Sequence, residues 1–264
     1  MDAMAEHAAA YDGYIGRWSR VVARDFLAWL AVPTQGTWHD VACGTGALTS
    51  EILATCGPAR IDGSDPDESR VAFARATIVD SRATFVVGDG MHIAGADDRY
   101  NVIVIGLGFP SIRETVPALL EFRRVTKPGG TVAGYVWDFD GEMQLLRYFW
   151  NAAVDLEAGV EDEECDDGDD PYAICAPEGL RAAWTAAGFS DVSVRAIDAR
   201  ARFSNFDDFW MPFQHGDSPA QRHVQSLDDS RRAQLRARLH DALPISSDGS
   251  ISLVTRAWAA KGVK

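Results

Sequence analysis

The chain has 264 residues, of which 47% are hydrophobic, and it carries a formal net charge of −14. This length and apolar content suffice for one large domain, or for a domain with an inserted cap. The acidic balance argues against a nucleic-acid partner, which needs a basic footprint, and no apolar run approaches the ~20 residues of a membrane span. Because the start of the chain also lacks a basic, apolar signal-peptide pattern, a cytoplasmic location is expected.

An acidic block and the cysteines bear on metal binding. Residues 161–170 hold eight acidic side chains and no Lys or Arg, and such a block repels itself and is expected to form a mobile surface loop. Calcium binding is an alternative, but the ligand spacing of an EF-hand loop is absent. The four cysteines form no Cys-x-x-Cys pair. No metal site is therefore predicted.

The first predicted element is a helix that follows an aromatic, glycine-containing stretch at 11–18. Ser19 is a candidate N-cap for this helix, and Val22, Phe26 and Leu30 recur at helical spacing. Two interpretations of the aromatic stretch stay open, since it can pack as an N-terminal arm or close as a lid over a cofactor. Residues 1–36 are predicted to form this helical arm or lid.

A strand, a glycine turn and a helix come next. The pattern predicts a buried strand over 37–42, a tight turn containing Gly44 and Gly46, and a helix over 47–53. This order makes a nucleotide-binding corner, in which the two glycines let ligand and backbone approach closely. A dinucleotide fingerprint would need a third glycine where Thr49 stands. A tight turn without a ligand is the alternative interpretation of this stretch taken alone.

Acidic residues follow the next two predicted strands. Asp65 comes after the strand 60–63, where a carboxylate can accept hydrogen bonds from both ribose hydroxyls of a nucleotide. Capping of the following helix, predicted over 67–79, is the other interpretation of Asp65. Asp89 follows the strand 84–87, where its carboxylate can accept a hydrogen bond from the amine of adenine.

The fourth and fifth strands complete an alternating pattern. A continuous apolar run over 101–105 is typical of a strand buried on both faces, and a helix over 112–126 and a strand over 131–137 follow it. Strands that alternate with helices predict a parallel, doubly wound α/β sheet. Ligands bind such sheets at the carboxyl ends of the strands. That edge would carry Asp40, Asp65, Asp89 and Gly106.

Four motifs resemble those of a known family. The class I S-adenosylmethionine-dependent methyltransferases are similar to this chain in Asp-Val-Ala-Cys-Gly-Thr-Gly at 40–46, Gly-Ser-Asp-Pro at 63–66, Gly-Asp-Gly-Met at 88–91 and Arg-Val-Thr-Lys-Pro-Gly-Gly at 124–130. The most similar branch holds the ubiquinone/menaquinone-type small-molecule enzymes. One departure is Ala42, where the commonest form of the motif has glycine. Stretches at both ends resemble a bacterial subgroup of this branch, so the resemblance spans nearly the whole chain.

The resemblance implies a seven-stranded sheet whose last strand runs antiparallel, with 191–197 and 251–259 as the sixth and seventh strands. Residues 37–138 would form the cofactor-binding core and 176–264 its C-terminal part. S-adenosylmethionine is the implied cofactor, with its methionine end over the glycine turn, its ribose at the acid after the second strand and its adenine at the acid after the third. The residues implied to bind it are Tyr14, Arg17, Trp18, Asp40, Ala42, Cys43, Gly44, Gly46, Asp65, Pro66, Asp89, Gly90, Met91, Gly106 and Leu107.

An insertion before a helix that begins near Ala176 is a candidate substrate cap. Residues 139–175 hold an amphipathic helix, predicted over 141–159, and the acidic loop, and aromatic residues are dense again in a cap segment at 203–245. Small-molecule sites are mostly apolar, although core packing also explains many of these side chains. The candidate pocket residues are Trp137, Phe149, Trp150, Trp210 and Phe213.

Two hypotheses for function follow. The leading one is methyl transfer to a small, apolar or aromatic molecule, with O- or C-methylation favoured. His215, downstream of the aromatic run, is the candidate general base for such a reaction, and an exposed loop histidine is its alternative interpretation. The second hypothesis is a module that binds S-adenosylmethionine or S-adenosylhomocysteine without methyl transfer, because a fold does not fix a function.

Overall fold

The structure is a computed structural model that describes residues 17–32, 34–112, 114–139, 141–157, 173–216 and 218–264. Its strands form one seven-stranded sheet in the order β3-β2-β1-β4-β5-β7-β6. No helix within the described ranges is long and apolar enough to cross a membrane. The strands are β1 Thr37–Val41, β2 Arg60–Asp65, β3 Ala83–Val87, β4 Tyr100–Gly106, β5 Thr126–Trp137, β6 Ser190–Phe203 and β7 Ile251–Val263.

Helices follow most of the strands, as in an α/β fold. Short 3₁₀ turns lie at Phe109–Ser111, Ala173–Cys175 and Met211–Phe213. The α-helices are α1 Arg17–Leu30, α2 Ala47–Thr55, α3 Glu68–Thr77, α4 Thr115–Val125, α5 Gln144–Glu157, α6 Pro177–Ala186, α7 Phe206–Trp210, α8 Pro219–Ser226 and α9 Asp229–Ala242.

Strand pairing confirms the fold class predicted from the sequence. β1 pairs in parallel with β2 and with β4, β2 with β3, and β4 with β5. β7 pairs antiparallel with β5, from Thr131 opposite Val263 to Trp137 opposite Ala257. The carboxyl ends of β1 to β4 therefore share one edge of a mostly parallel sheet, as the doubly wound arrangement requires.

The continuous apolar sequence of β4 is consistent with its position in the middle of the sheet. The β4 residues from Val102 to Ile105 are buried, as a strand covered on both faces should be. The Nε1 of Trp184 donates a hydrogen bond to the carbonyl oxygen of Val132 on β5 at 3.1 Å, and the Trp184 ring packs edge-on against Phe109 at 5.3 Å. These contacts join α6 to the sheet and to the turn that follows β4.

The chain divides into two compact units. The larger comprises 20–137, 170–197 and 257–264, and it holds β1 to β5 with their helices. The smaller comprises the start of the chain with 138–169 and 198–256. The domain boundaries drawn from the sequence stay a prediction.

The smaller unit has an aromatic core of its own. Phe149 and Phe213 stack face to face with ring centroids 4.6 Å apart and planes inclined by 10°, and both side chains are fully buried. Phe209 packs on Phe213 at 5.5 Å and on Phe203 at 5.2 Å. Aromatic pairs of this kind add to the free energy gained from burying their area.

Several predicted boundaries differ from the structure. α1 begins at Arg17, so Ser19 lies in its first turn, and the prediction that Ser19 caps this helix is wrong. β1 ends at Val41, which leaves Ala42 in the turn. β5 begins at Thr126 and not at the predicted 131, and its pairing with β4 has an irregular register between Tyr100 and Val102 of β4. β6 and β7 both run beyond their predicted ends, because their alternating burial continues.

Candidate functional site

The turn after β1 leaves open space beside its backbone. Gly44 has φ +53°, and a Cβ added there would meet no heavy atom of the described residues within 4 Å. Gly46 has φ +85°, and a Cβ there would collide with the side chain of Ile78. Both glycines are in the left-handed region that other residues adopt at a cost. Gly46 therefore lets the turn pack on α3, whereas Gly44 leaves room for a ligand.

Asp40 is a buried acid with one unused oxygen. It lies one residue before the end of β1 and is 1% exposed. Its Oδ2 accepts a hydrogen bond from the Thr49 hydroxyl at 2.6 Å, while its Oδ1 has no hydrogen-bond partner among the described residues. A buried acceptor without a donor costs free energy. This oxygen is therefore suited to a ligand that brings a donor or a positive charge.

Burial also changes the acidity of Asp40. The loss of solvent raises the pKa of Asp40 to about 7, the hydrogen bond from Thr49 opposes the rise, and the charge of Asp65 adds to it. Half of the Asp40 side chains would then be neutral near pH 7. A cationic ligand would favour the ionised carboxylate, because an opposite charge nearby lowers the pKa of an acid.

Asp65 holds the turn and the next helix in place. It is 3% exposed at the end of β2, its Oδ2 accepts from the Gly44 N–H at 2.9 Å, and its Oδ1 accepts from the Asp67 N–H at 3.0 Å. The cap of α3 is Asp67, whose side chain accepts from the N–H groups of Ser69 and Arg70. Of the two sequence interpretations, capping is therefore excluded for Asp65. A carboxylate has about four acceptor sites, so Asp65 can still accept from a ligand.

The loop after β3 reaches the end of β1. A Cβ added at Gly90 would lie 2.9 Å from Val41 Cγ1, which places this loop against the neighbouring strand end. The exposed Asp89 accepts from the Met91 N–H at 2.9 Å, and its other oxygen lies 3.8 Å from His92 Nδ1. Asp89, Gly90 and Met91 thus lie at the edge where the sequence predicted them, and their role in binding adenine stays a prediction.

The loop after β4 is unusually close to its neighbours. A Cβ added at Gly106 would lie 2.8 Å from the Tyr135 hydroxyl oxygen. Leu107 has φ +63° and donates its N–H to the Tyr135 carbonyl oxygen at 2.8 Å. A Cβ added at Gly108 would lie 2.7 Å from the Cβ of Ala42. The predicted site residues Gly106 and Leu107 therefore lie beside the turn after β1.

Cys43 points its side chain into the core. It packs with Val71, Ala74 and Phe85, and a Cβ added at Gly63 would lie 3.1 Å from its Sγ. Burial raises the pKa of the Cys43 thiol far above its ordinary value, so the thiol stays protonated. Only the backbone of Cys43 remains suited to contact a ligand.

Three predicted residues lie near the start of the chain. Tyr14 lies outside the described residues, as do most of the stretch 11–18 and the acidic block 161–170. Arg17 is the first residue of α1. The Trp18 ring is buried and packs edge-on against Phe203 at 5.1 Å. This contact agrees with the packing interpretation of Trp18, and a contact of Trp18 with a cofactor stays a prediction.

The predicted pocket residues differ in exposure. Trp137 is buried in the larger unit, whereas the other four lie in the smaller one. Phe149, Trp210 and Phe213 are buried there, while Trp150 is 37% exposed and packs edge-on against Phe149 at 5.1 Å.

His215 is exposed in the turn after Met211–Phe213. Pro66 is exposed after β2.

Two polar side chains near this edge, those of Thr49 and His39, were not predicted as site residues from the sequence. Thr49 was used only to exclude a dinucleotide fingerprint, although its position in the first turn after the glycines could have indicated the contact with Asp40. His39 Nε2 lies 2.9 Å from the Ser64 hydroxyl, in a buried pair that could be mistaken for a nucleophile and its base. Burial lowers the pKa of His39 to about 4, and its Nδ1 has no orienting partner in the described ranges. This pair lacks the third group and the access of a hydrolase site.

The residues at this edge fit S-adenosylmethionine. The unpaired Asp40 Oδ1 can accept from the cofactor's ammonium group, the space beside Gly44 can hold its chain, and Asp65 can accept from ribose hydroxyls. Two carboxylates beside one turn also suit a cofactor that carries positive charge.

Comparisons with known proteins agree with this geometry. Residues 39–130 match a family model described as a methyltransferase domain. Over 97 residues the chain is 33% identical to demethylmenaquinone methyltransferase of Halalkalibacterium halodurans, a match that covers 35% of this chain and 40% of the relative. The chain therefore spans less than half the length of this curated relative.

Solved structures share the fold at low identity. Phosphoethanolamine N-methyltransferase 2 of Haemonchus contortus, in complex with S-adenosyl-L-methionine, superimposes with a TM-score of 0.54 at 14% identity, covering 92% of this chain and 52% of that one. The [4+2]-cyclase SpnF superimposes with a TM-score of 0.53 at 18% identity, covering 94% and 80%. Together these comparisons confirm the family resemblance and the fold class, and they support S-adenosylmethionine as the cofactor.

Proposed function

We propose that the chain transfers a methyl group from S-adenosylmethionine to a small molecule, starting from the match of residues 39–130 to a family model described as a methyltransferase domain. The observation that carries the proposal is the Asp40 carboxylate, buried with one unpaired oxygen beside an open glycine turn. Such a group is costly unless a ligand supplies the missing donor. The cofactor's ammonium group supplies it.

Each residue of the edge has a binding role. Asp40 accepts from the ammonium group, with Thr49 holding the carboxylate through its other oxygen. Asp65 accepts from the ribose hydroxyls, while the hydrogen bond that its carboxylate accepts from the Gly44 N–H keeps the turn in place. The loop with Asp89 contacts the adenine. When bound, S-adenosylmethionine supplies an electrophilic methyl group on a sulfonium, so the protein has to align the acceptor and exclude water.

The acceptor is proposed to be a small aromatic molecule, methylated on carbon or oxygen. The support is the similarity to a demethylmenaquinone methyltransferase and the aromatic side chains of the smaller unit. Trp150 is the best placed of the predicted pocket residues in that unit to touch an acceptor, because it is the one with substantial exposure. Phe149 and Phe213 support it by packing. His215 would serve as the base only if the acceptor arrives protonated.

A second candidate function is a protein of this fold that binds the cofactor without methyl transfer. The observation that favours it is the similarity in fold to SpnF, which is described as a [4+2]-cyclase. No residue at the edge by itself proves turnover, since Asp40 and Asp65 serve binding in both cases.

The two functions are separated by binding and turnover measured together. Calorimetric titration is expected to give binding of S-adenosylmethionine and S-adenosylhomocysteine and little binding of NAD. Incubation with methyl-labelled S-adenosylmethionine and a panel of phenols, naphthols and hydroquinones is expected to give a labelled product. Binding without transfer to any acceptor would favour the second function, and tight NAD binding without S-adenosylhomocysteine binding would contradict both.

A further inference from the structure

Ala42 adopts a backbone conformation that glycine adopts more easily. Its φ is +53°, in the left-handed region, where a Cβ crowds the following carbonyl oxygen and costs free energy. Short polar side chains offset this cost through local hydrogen bonds, and a methyl group cannot. The chain therefore accepts a cost at Ala42 that a glycine would remove, and a contact of its methyl group should offset it.

That contact is with Gly108, in the loop after β4. A Cβ added at Gly108 would lie 2.7 Å from the Ala42 Cβ and 3.0 Å from Ile105 Cγ1, so the Ala42 methyl group fills part of the space that a side chain at 108 would need, and Ile105 fills the rest. The φ of Gly108 is −85°, which any residue can adopt. Gly108 is thus required for space and not for conformation, and the two residues form a matched small pair.

The loop is held from its other side as well. Tyr135 places its hydroxyl oxygen where a Gly106 side chain would begin, and its carbonyl oxygen accepts the Leu107 N–H. Leu107, between the two glycines, has φ +63°. A bulky residue in this region is an outlier, and such strain persists only where the surroundings hold it, often at ligand sites.

We propose that Ala42 is a positioning residue, whose methyl group presses on Gly108 and keeps Leu107 in its left-handed conformation at the cofactor edge. The inference rests on the proposed function, because the benefit of the held loop is tighter cofactor binding. It explains why this chain keeps alanine at a position of the turn where glycine would be less strained. Ala42 acts through the loop and does not itself need to touch the cofactor.

The test compares Ala42→Gly, Gly108→Ala and the double variant with the wild-type protein. Ala42→Gly should leave the melting temperature unchanged or raised, because it removes the left-handed cost, yet weaken S-adenosylhomocysteine binding about tenfold, which corresponds to a coupling within the range for residues in contact. Gly108→Ala should lower both stability and affinity. In the double variant the methyl group is carried by residue 108 and no longer by residue 42, so the two residues can still pack. This variant should therefore bind S-adenosylhomocysteine more tightly than Gly108→Ala.

Ala42→Ser is the matched comparison, since it keeps the Cβ and should lose clearly less affinity than Ala42→Gly. A second readout is amide hydrogen exchange at Leu107, which Ala42→Gly should speed up with or without ligand. Unchanged affinity and exchange in Ala42→Gly would overturn the proposal, as would strictly additive effects in the double variant. If Leu107 exchanges faster in Ala42→Gly but the wild-type protein does not bind S-adenosylhomocysteine, the positioning role is supported and the proposed function is overturned.

Discussion

Asp65→Ala tests the site most directly, because this carboxylate holds the backbone of the turn and is also the proposed acceptor for the ribose hydroxyls. Its carboxylate accepts two backbone N–H bonds, from Gly44 at 2.9 Å and from Asp67 at 3.0 Å, at a position that is almost fully buried. Hydrogen bonds to charged groups contribute about 1.5–3 kcal/mol each. Since water can reach the half-buried Asp67, we expect a loss of about 2–4 kcal/mol, or roughly 4–16 °C in melting temperature.

The same substitution should weaken S-adenosylhomocysteine binding about tenfold to hundredfold, because it removes the proposed acceptor of the ribose hydroxyls. Calorimetry well below the melting temperature of the variant separates this loss from unfolding. Asp67→Ala is the control, since it removes the same charge two residues away and costs only about 1 kcal/mol as a lost helix cap. Equal affinities of the two variants would refute the assignment of Asp65 to the cofactor.

Three other outcomes test the buried acid and the aromatic core. Because burial raises the pKa of Asp40 to about 7 from an ordinary 3.8, its contribution to stability is present below pH 3.8 and is lost as the pH rises through 7. Asp40→Asn should therefore melt above wild type at pH 8, with an advantage that shrinks toward pH 4, and a difference independent of pH would contradict this. Thr49→Val should weaken S-adenosylhomocysteine binding about tenfold in calorimetry, whereas Thr49→Ser should stay within about twofold; equal losses would exclude a role for the hydroxyl. Phe149→Ala should cost about 3–5 kcal/mol in denaturant unfolding, and Trp150→Ala clearly less, because its side chain is partly exposed; the reverse order would contradict the assignment of Phe149 to the core.

Local sequence patterns were sufficient to predict the sheet and the edge at which a ligand is expected to bind. The apolar run in β4, the glycines after β1 and the alternation of strands with helices each depend on residues close in sequence. They located Asp40, Asp65 and Asp89 at the ends of successive strands before any contact was known. They were less reliable at helix starts, where Ser19 and Asp65 were the candidate caps. Ser19 lies inside α1, and Asp67 occupies the cap position of α3.

Aromatic periodicity could not separate core from pocket. Phe149 and Trp150 are adjacent in the sequence and equally apolar, yet one is fully buried and stacked while the other is partly exposed. Which face of α5 is covered depends on Phe213, more than sixty residues away along the chain, and no local pattern contains that information. The same reason hid the contact of Ala42 with Gly108.

By itself the sequence determined the class of fold, the order of its motifs and the edge where a cofactor is expected, because these follow from short-range periodicity and turn chemistry. Only the tertiary structure decided the protonation, the hydrogen bonding and the backbone conformation of the site residues. The raised pKa of Asp40 results from its burial. One Asp40 oxygen is unpaired because Thr49 donates its hydroxyl to the other. The left-handed Leu107 lies in a loop that is packed between Ala42 after β1 and Tyr135 on β5. Burial and close packing depend on residues distant along the chain, which meet only when the sheet has formed.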